Sequence, residues 1–231
     1  MNLGGLEKVS LIDYPNKLAA VVFTQGCNFR CPFCYNPSLI NIQKSSENII
    51  SEEDIFVFLN NRVGKLEAVV ISGGEPTIQK DLHDFIQKIK NLGFLVKLDT
   101  NGSNPETLEE LIRKEMLDYI AMDLKASKDK YNQLTGIEVN FQKIEESIKL
   151  IKDSNIDYEF RSTLVPNFLE MDDINKMGKL IQGTEKWCLQ NFKSNMDLLD
   201  KDLIDQESFS GSDMQKMKKI AEKHVNLVEI R

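Results

Sequence analysis

Residues 18–39, LAAVVFTQGCNFRCPFCYNPSL, decide how the rest of this 231-residue chain is read. The run from Leu18 to Thr24 is brief and apolar and ends in polar residues, the pattern of a strand buried on both faces. Cys27, Cys31 and Cys34 follow directly, in a Cys-x3-Cys-x2-Cys spacing. Pro32 and the polar Asn28 and Arg30 make a continued buried strand untenable, so the cysteines sit in a loop. Parallel sheets carry functional loops at the C-terminal ends of their strands, and this cluster falls at such an end.

Outward from that stretch, apolar runs recur at Ala68 to Ser72, Phe94 to Asp99, Tyr119 to Asp123, Tyr158 to Leu164 and Lys186 to Leu189, which gives six expected strands. Amphipathic segments separate them: Ser51 to Asn61, Lys80 to Leu92, Pro105 to Glu115, Asn140 to Asp153, Asp172 to Ile181 and Ser212 to His224. Ser51 with Asp54 three residues on reads as a helix start, and Pro105 suits a first helical turn. Such alternation predicts an α/β fold with a parallel sheet. Closing eight β/α units takes about 250 residues, so six units predict an incomplete (β/α)6 TIM-like barrel with a laterally open side. No repeat, low-complexity tract or Gly/Pro-rich linker divides the chain, so residues 1–231 are expected to form a single domain. The polar stretch from Ser194 to Gly211 reads as a surface excursion.

A formal charge of −7 and a pI near 5.1 oppose a mainly electrostatic nucleic-acid or anionic-membrane binder. The longest apolar run, Leu18 to Phe23, falls far short of the roughly 20 residues needed to cross a bilayer. The first residues lack the basic-then-apolar build of a signal peptide, so a cytoplasmic setting is expected, with no nucleic-acid or membrane partner. Clustered cysteines in a reducing compartment are metal ligands or redox groups before they are disulfides. A structural zinc site would want four ligands, with Cys188 as a candidate fourth; inert thiols are the other plain reading. The favoured reading is a [4Fe-4S] cluster on three thiolates, which leaves one iron open to a small molecule.

These residues resemble the radical S-adenosylmethionine superfamily, whose signature is the Cys-x3-Cys-x-aromatic-Cys spacing, with Phe33 as the aromatic residue. The resemblance implies that Cys27, Cys31 and Cys34 hold the cluster and are catalytic, that S-adenosylmethionine chelates the open iron, and that Phe33 flanks its adenine. In that family one electron from the cluster cleaves the sulfonium and releases a 5′-deoxyadenosyl radical. Other strand ends carry matching groups. Gly73, Gly74 and Glu75 resemble the family's Gly-Gly-Glu motif for the methionyl amine; the glycines allow close backbone approach and Glu75 accepts hydrogen bonds. Asp99, Thr100, Asn101 with Gly102, and Asp123 with Lys125, resemble elements of glycyl-radical-enzyme activases that line the methionyl carboxylate site, sometimes with a monovalent cation. Each also has a local reading as a cap, a turn or a solvated charge. Arg161 lies inside the fifth strand and either forms a structural ion pair or points into the site to clamp the cofactor. Gln190 departs from relatives that place a His there, while Trp187 and Cys188 read as core residues.

The element Ser10 to Pro15, SLIDYP, resembles the activating protein of anaerobic ribonucleoside-triphosphate reductase, within the pyruvate formate-lyase activase-like branch. The resemblance implies a glycyl radical enzyme as partner and a low-potential electron donor such as flavodoxin or ferredoxin. The alternative is a radical enzyme acting on a small molecule, like 7-carboxy-7-deazaguanine synthase. An iron–sulfur electron carrier is opposed by the single cluster motif and the Gly-Gly-Glu turn.

Overall fold

The computed structural model describes residues 1–42 and 50–231. One sheet holds eight strands in chain order: β1 (Leu3–Ser10), β2 (Ala19–Thr24), β3 (Ala68–Gly73), β4 (Leu95–Thr100), β5 (Tyr119–Asp123), β6 (Asp157–Leu164), β7 (Lys186–Asn191) and β8 (Leu227–Ile230). Every neighbouring pair from β2 to β8 is parallel, and β1 lies antiparallel on β2. Among the described residues β1 and β8 do not pair, so the curved sheet stays open along one side. The helices are α1 (Glu52–Asn60), α2 (Leu82–Asn91), α3 (Pro105–Arg113), α4 (Tyr131–Thr135), α5 (Phe141–Asp153), α6 (Met171–Leu180) and α7 (Gly211–Ala221), and they supply the crossovers. None is long and apolar enough to cross a membrane.

The six expected strands and six expected helices are all present, with ends displaced by at most three residues. The Ser51 hydroxyl caps α1 by accepting from the Asp54 N–H, and Pro105 opens α3. Three elements went unread. β1 carries Gly4, Gly5 and two register irregularities, and β8 is only four residues long; both are edge strands without the two-sided burial that makes inner strands legible. α4 has five residues, too few to show a helical period.

Alternation along each strand divides the core in two. Ala20 and Val22 of β2, Val69 and Ile71 of β3, Val96 and Leu98 of β4 and Ile120 and Met122 of β5 face the helices, packed with residues such as Leu59, Phe85, Leu111 and Ile148. The opposite face lines the barrel interior. Small residues Ala19, Val21, Ala68 and Val70 form its floor with Tyr14 and Tyr119, whose rings lie 5.7 Å apart. Farther round, β4, β5 and β6 put Asp99, Asp123 and Arg161 on that inner face, and these charged side chains line the site. The Ser194 to Gly211 excursion is less peripheral than its polarity suggests. Leu198 and Leu203 are buried, and the Leu199 and Asp200 N–H groups donate to the carbonyls of Cys34 and Pro32, so the segment braces the cysteine loop.

Candidate active site

All thirteen residues singled out as candidate ligands or cofactor contacts line one cavity of about 400 Å³ at the C-terminal ends of the parallel strands. The cysteine loop forms one wall. It is tied down by Gly26 N–H to the Leu39 carbonyl, Cys27 N–H to that of Ile40 and Arg30 N–H to that of Thr135 at the end of α4. The loop after β3 packs on it backbone to backbone. Gly74 N–H donates to Thr24 and Glu75 N–H to Gly26. Gly73 has φ of +113°, and a Cβ on Gly74 would overlap the Gly26 carbonyl, so both positions require glycine for conformation and for close approach.

Burial pushes the Cys27 thiol up to about 12 and the Cys31 thiol in the same direction, so without a metal both stay protonated at neutral pH. The Cys27 sulfur accepts the Phe29 N–H at 3.4 Å, the type of contact that tunes iron–sulfur clusters. Among the described residues no three His, Cys, Asp or Glu side chains converge on a single-ion site. Three thiols line the cavity and Cys188 does not, so the donor set fits a three-thiolate iron–sulfur cluster with one open iron better than a closed four-ligand zinc site. Cys188 stands apart from them. It is buried in β7 with its thiol 3.3 Å from Glu159 Oε2, and Trp187 beside it bonds Ser162 in the core.

Glu75 is 1% exposed and is held by four donors. Its Oε1 accepts from Thr77 N–H (3.1 Å), Thr77 Oγ1 (2.6 Å) and Thr100 Oγ1 (2.7 Å), and its Oε2 accepts from Asn101 N–H (2.7 Å). A carboxylate offers about four acceptor sites, two on each oxygen, so the capacity left for a ligand is on Oε2. Burial raises the Glu75 carboxyl above its ordinary range, and a cationic ligand would draw it back to the charged form. Thr100 and Asn101 thus act through Glu75, and the Asn101 amide also donates to Asn28 Oδ1 at 2.9 Å.

Arg161 resolves the two readings of a strand arginine by satisfying both. Its Nη1 lies 3.1 Å from Asp99 Oδ2 and its Nε 3.0 Å from Asp123 Oδ1, and the side chain also lines the cavity. Lys125 Nζ lies 2.9 Å from Asp123 Oδ2 and 5.8 Å from the Phe33 ring centre. Burial alone would push both carboxyls up, but the Arg161 charge outweighs it, with Lys97 for Asp99 and Lys125 for Asp123, and holds both below the usual range. Sequence reading missed Asp13, Tyr35, Thr163 and Lys97. Gln190, read as a departure, lines the cavity with the first three, while Lys97 lines a second, adjoining cavity. Lys97 carried a usable signal: two positions before Asp99 on one strand, it must share the inward face.

Comparison with known proteins agrees with this geometry. The chain matches the Radical SAM superfamily over residues 21–181. It is 36% identical over 99% of its length, and 95% of the relative's, to a Methanocaldococcus jannaschii protein named “Putative glycyl-radical enzyme activating enzyme”. Its fold is similar to a crystallised domain of pyruvate-formate lyase-activating enzyme from Bacteroides vulgatus (TM-score 0.58, 18% identity, 71% of this chain and 99% of that one). It is likewise similar to Streptococcus suis SuiB bound to precursor peptide SuiA (TM-score 0.66, 14% identity, 91% of this chain and 48% of that one). An open parallel barrel, three loop thiols beside a Gly-Gly-Glu turn, and a family match across most of the sheet lead to one conclusion: the chain belongs to the radical S-adenosylmethionine superfamily, enzymes that use a [4Fe-4S] cluster and S-adenosylmethionine.

Proposed function

We propose that this chain is a glycyl-radical-enzyme activase whose client is anaerobic ribonucleoside-triphosphate reductase, working as a single domain in the reducing cytoplasm with flavodoxin or ferredoxin as electron donor. The observation that carries the reading is the open side of the barrel. A second cavity of about 320 Å³ lies between the connection after β1 (Ile12, Asp13) and the edge formed by Asn191, Lys193 and Arg231, and it shares Asp13, Tyr35, Arg161, Thr163 and Gln190 with the first. An extended peptide loop could reach the cofactor site by this gap without any strand parting. The whole-length relative named as an activating enzyme supports the same client class.

When bound, the cluster supplies the electron that splits S-adenosylmethionine and so generates the hydrogen-abstracting radical. The remaining work falls to the chain's own residues. Cys27, Cys31 and Cys34 would hold the cluster through their three thiolates, which leaves one coordination position for a ligand. Glu75 Oε2 and the Gly73–Gly74 backbone would take the methionyl amine, and Arg161 and Lys125, fixed by Asp99 and Asp123, would take its carboxylate. Phe33, which lines the same cavity, would flank the adenine. Specificity then depends on what fills the open side, through proximity and orientation.

The test combines reconstituted protein, reductant, S-adenosylmethionine and the reductase. A persistent glycine-centred spin-resonance doublet on the partner, collapsing when that glycine's α position is deuterated, is expected. Rapid turnover on a free nucleoside or pterin with no protein radical would replace this reading with the small-molecule one.

A further inference from the structure

Behind the wall that carries the cysteines sits a buried hydroxyl with no partner. Tyr131, the first residue of α4, is 1% exposed, and among the described residues its Oη makes no hydrogen bond. Two other buried side-chain atoms share that state there. His83 Nε2 still lies 3.3 Å from a Glu110 carboxylate oxygen, and the amide nitrogen of Asn191, whose Oδ1 is unpaired, donates to the Phe209 carbonyl. Tyr131 has only its one polar side-chain atom, so nothing offsets the cost of desolvating it, and phenylalanine would avoid that cost altogether.

The hydroxyl is held beside the cysteine loop. Arg30 N–H donates to the Thr135 carbonyl at 2.7 Å, and Thr135 Oγ1 donates to the Tyr131 carbonyl at 2.8 Å one turn back, so α4 is fastened to the loop between Cys27 and Cys31. The Phe141 ring meets the Tyr131 ring edge to face, 5.0 Å between centres, and fixes its orientation. Both Tyr131 and Cys31 belong to the same buried core. Burial pushes the phenol above its ordinary range, the Lys125 charge draws it down, and Cys31 and Asp123 push it up, so these three groups surround it. The Lys125 backbone N–H also faces the phenol oxygen, but an N–H only donates, and the hydroxyl proton is left without an acceptor. Asp123 cannot supply one, because Arg161 and Lys125 occupy its two oxygens. The Cys31 sulfur is the acceptor that remains, and it becomes a strong one only when a metal converts the thiol to a thiolate.

We propose that Tyr131 donates a hydrogen bond to the Cys31 thiolate once the cluster is bound, and that this donor raises the potential at which the cluster accepts its electron. The inference rests on Cys31 as a cluster ligand and not on the identity of the client. A buried hydroxyl without an acceptor and a buried thiolate without a donor are each costly alone, and metal binding lets each satisfy the other. A donor to a ligand sulfur withdraws electron density and so favours the reduced cluster. Reduction takes one electron from an added chemical reductant; the phenol O–H bond stays intact and no proton is transferred.

Tyr131→Phe removes the hydroxyl and keeps the ring. In metal-free protein its melting midpoint should match or exceed that of the wild type, because the hydroxyl has no partner to lose. After anaerobic reconstitution both proteins should carry equal iron, and a redox titration followed by spin resonance should find the Tyr131→Phe cluster harder to reduce. The expected shift in the reduction equilibrium is about tenfold, which for a one-electron couple is about 59 mV to more negative potential. Electron–nuclear double resonance of the reduced wild type should show a proton coupling that disappears in heavy water and that Tyr131→Phe lacks. A purely structural hydroxyl would move the melting midpoint and leave the potential and the coupling alone. An unchanged potential or an unchanged set of proton couplings in fully loaded Tyr131→Phe overturns the proposal, as does a metal-free Tyr131→Phe protein that melts several degrees lower, since its hydroxyl would then already have a protein partner. Wild-type protein that takes up no cluster overturns the ligand assignment itself, and the proposal with it.

Discussion

Replacing Cys27, Cys31 or Cys34 with alanine should remove most of the iron and the brown absorbance from anaerobically reconstituted protein, whereas Cys188→Ala should keep about four irons per chain. The asymmetry follows from position. The first three thiols share the cavity wall, and Cys188 is buried in β7 against Glu159. Two of the three cavity thiols are also held protonated by burial, Cys27 at about 12 and Cys31 shifted the same way, so iron must expel those protons as it binds. Loading should accordingly become more complete as the pH of reconstitution rises and fail first on the acid side. Iron analysis and the visible spectrum check both statements; full loading of Cys31→Ala, or zinc as the native metal, would contradict them.

The second large effect is expected at Arg161. Removing one partner of a buried ion pair costs about 3–5 kcal/mol, because the charge left behind stays desolvated. Arg161→Met leaves Asp99 and Asp123, with side chains 10% and 28% exposed, each with one lysine partner in place of two cations. In a chain of this length each kcal/mol is worth about 2–4 °C, so the melting midpoint at neutral pH should drop by on the order of 10 °C. The pH dependence has a definite sign. In the wild type both carboxyls are held down, so their contribution is present above the ordinary carboxylate range and is lost as pH falls through their folded values. In Arg161→Met burial is opposed only by the lysines, and protonation relieves the under-compensated charges. The gap between the two proteins should therefore narrow on acidification. Melting curves at several pH values decide it, and a gap that widens in acid would show that Arg161 acts through something other than these carboxylates.

Both predictions rest on residues that the sequence singled out, and the reason they were legible is physical. Inner strands of a parallel sheet bury both faces, so Val69–Val70–Ile71 and its counterparts stand out as short apolar runs, and the polar groups that end them must face a pocket or solvent. That logic found Glu75, Asp99 and Asp123. It did not give Glu75 its full role: the four donors it ties together span the loops after β3 and β4, so Glu75→Ala would disturb the architecture as well as any amine contact. Lys97 was hidden for the complementary reason. Within Phe94 to Asp99 it reads as one charge in an apolar run; its place two residues before Asp99 gives its direction, and its pairing acquires meaning only once Arg161 of β6 is seen to share Asp99 with it. Asp13 was further from reach. Its connection follows β1, an edge strand without a clear pattern, and folds back so that the carboxylate, bonded to Ser10 Oγ at 2.5 Å, reaches the same cavity as the cysteines.

The central claim, that this pocket performs reductive cleavage of S-adenosylmethionine, is tested most directly by counting products. Reconstituted protein is mixed with S-adenosylmethionine and a one-electron reductant under strict anaerobiosis, and the small molecules are separated and quantified. The account predicts 5′-deoxyadenosine and methionine in equal amounts, dependent on the reductant and absent with Cys31→Ala. Intact S-adenosylmethionine over a fully loaded cluster, or S-adenosylhomocysteine as the product, would contradict it.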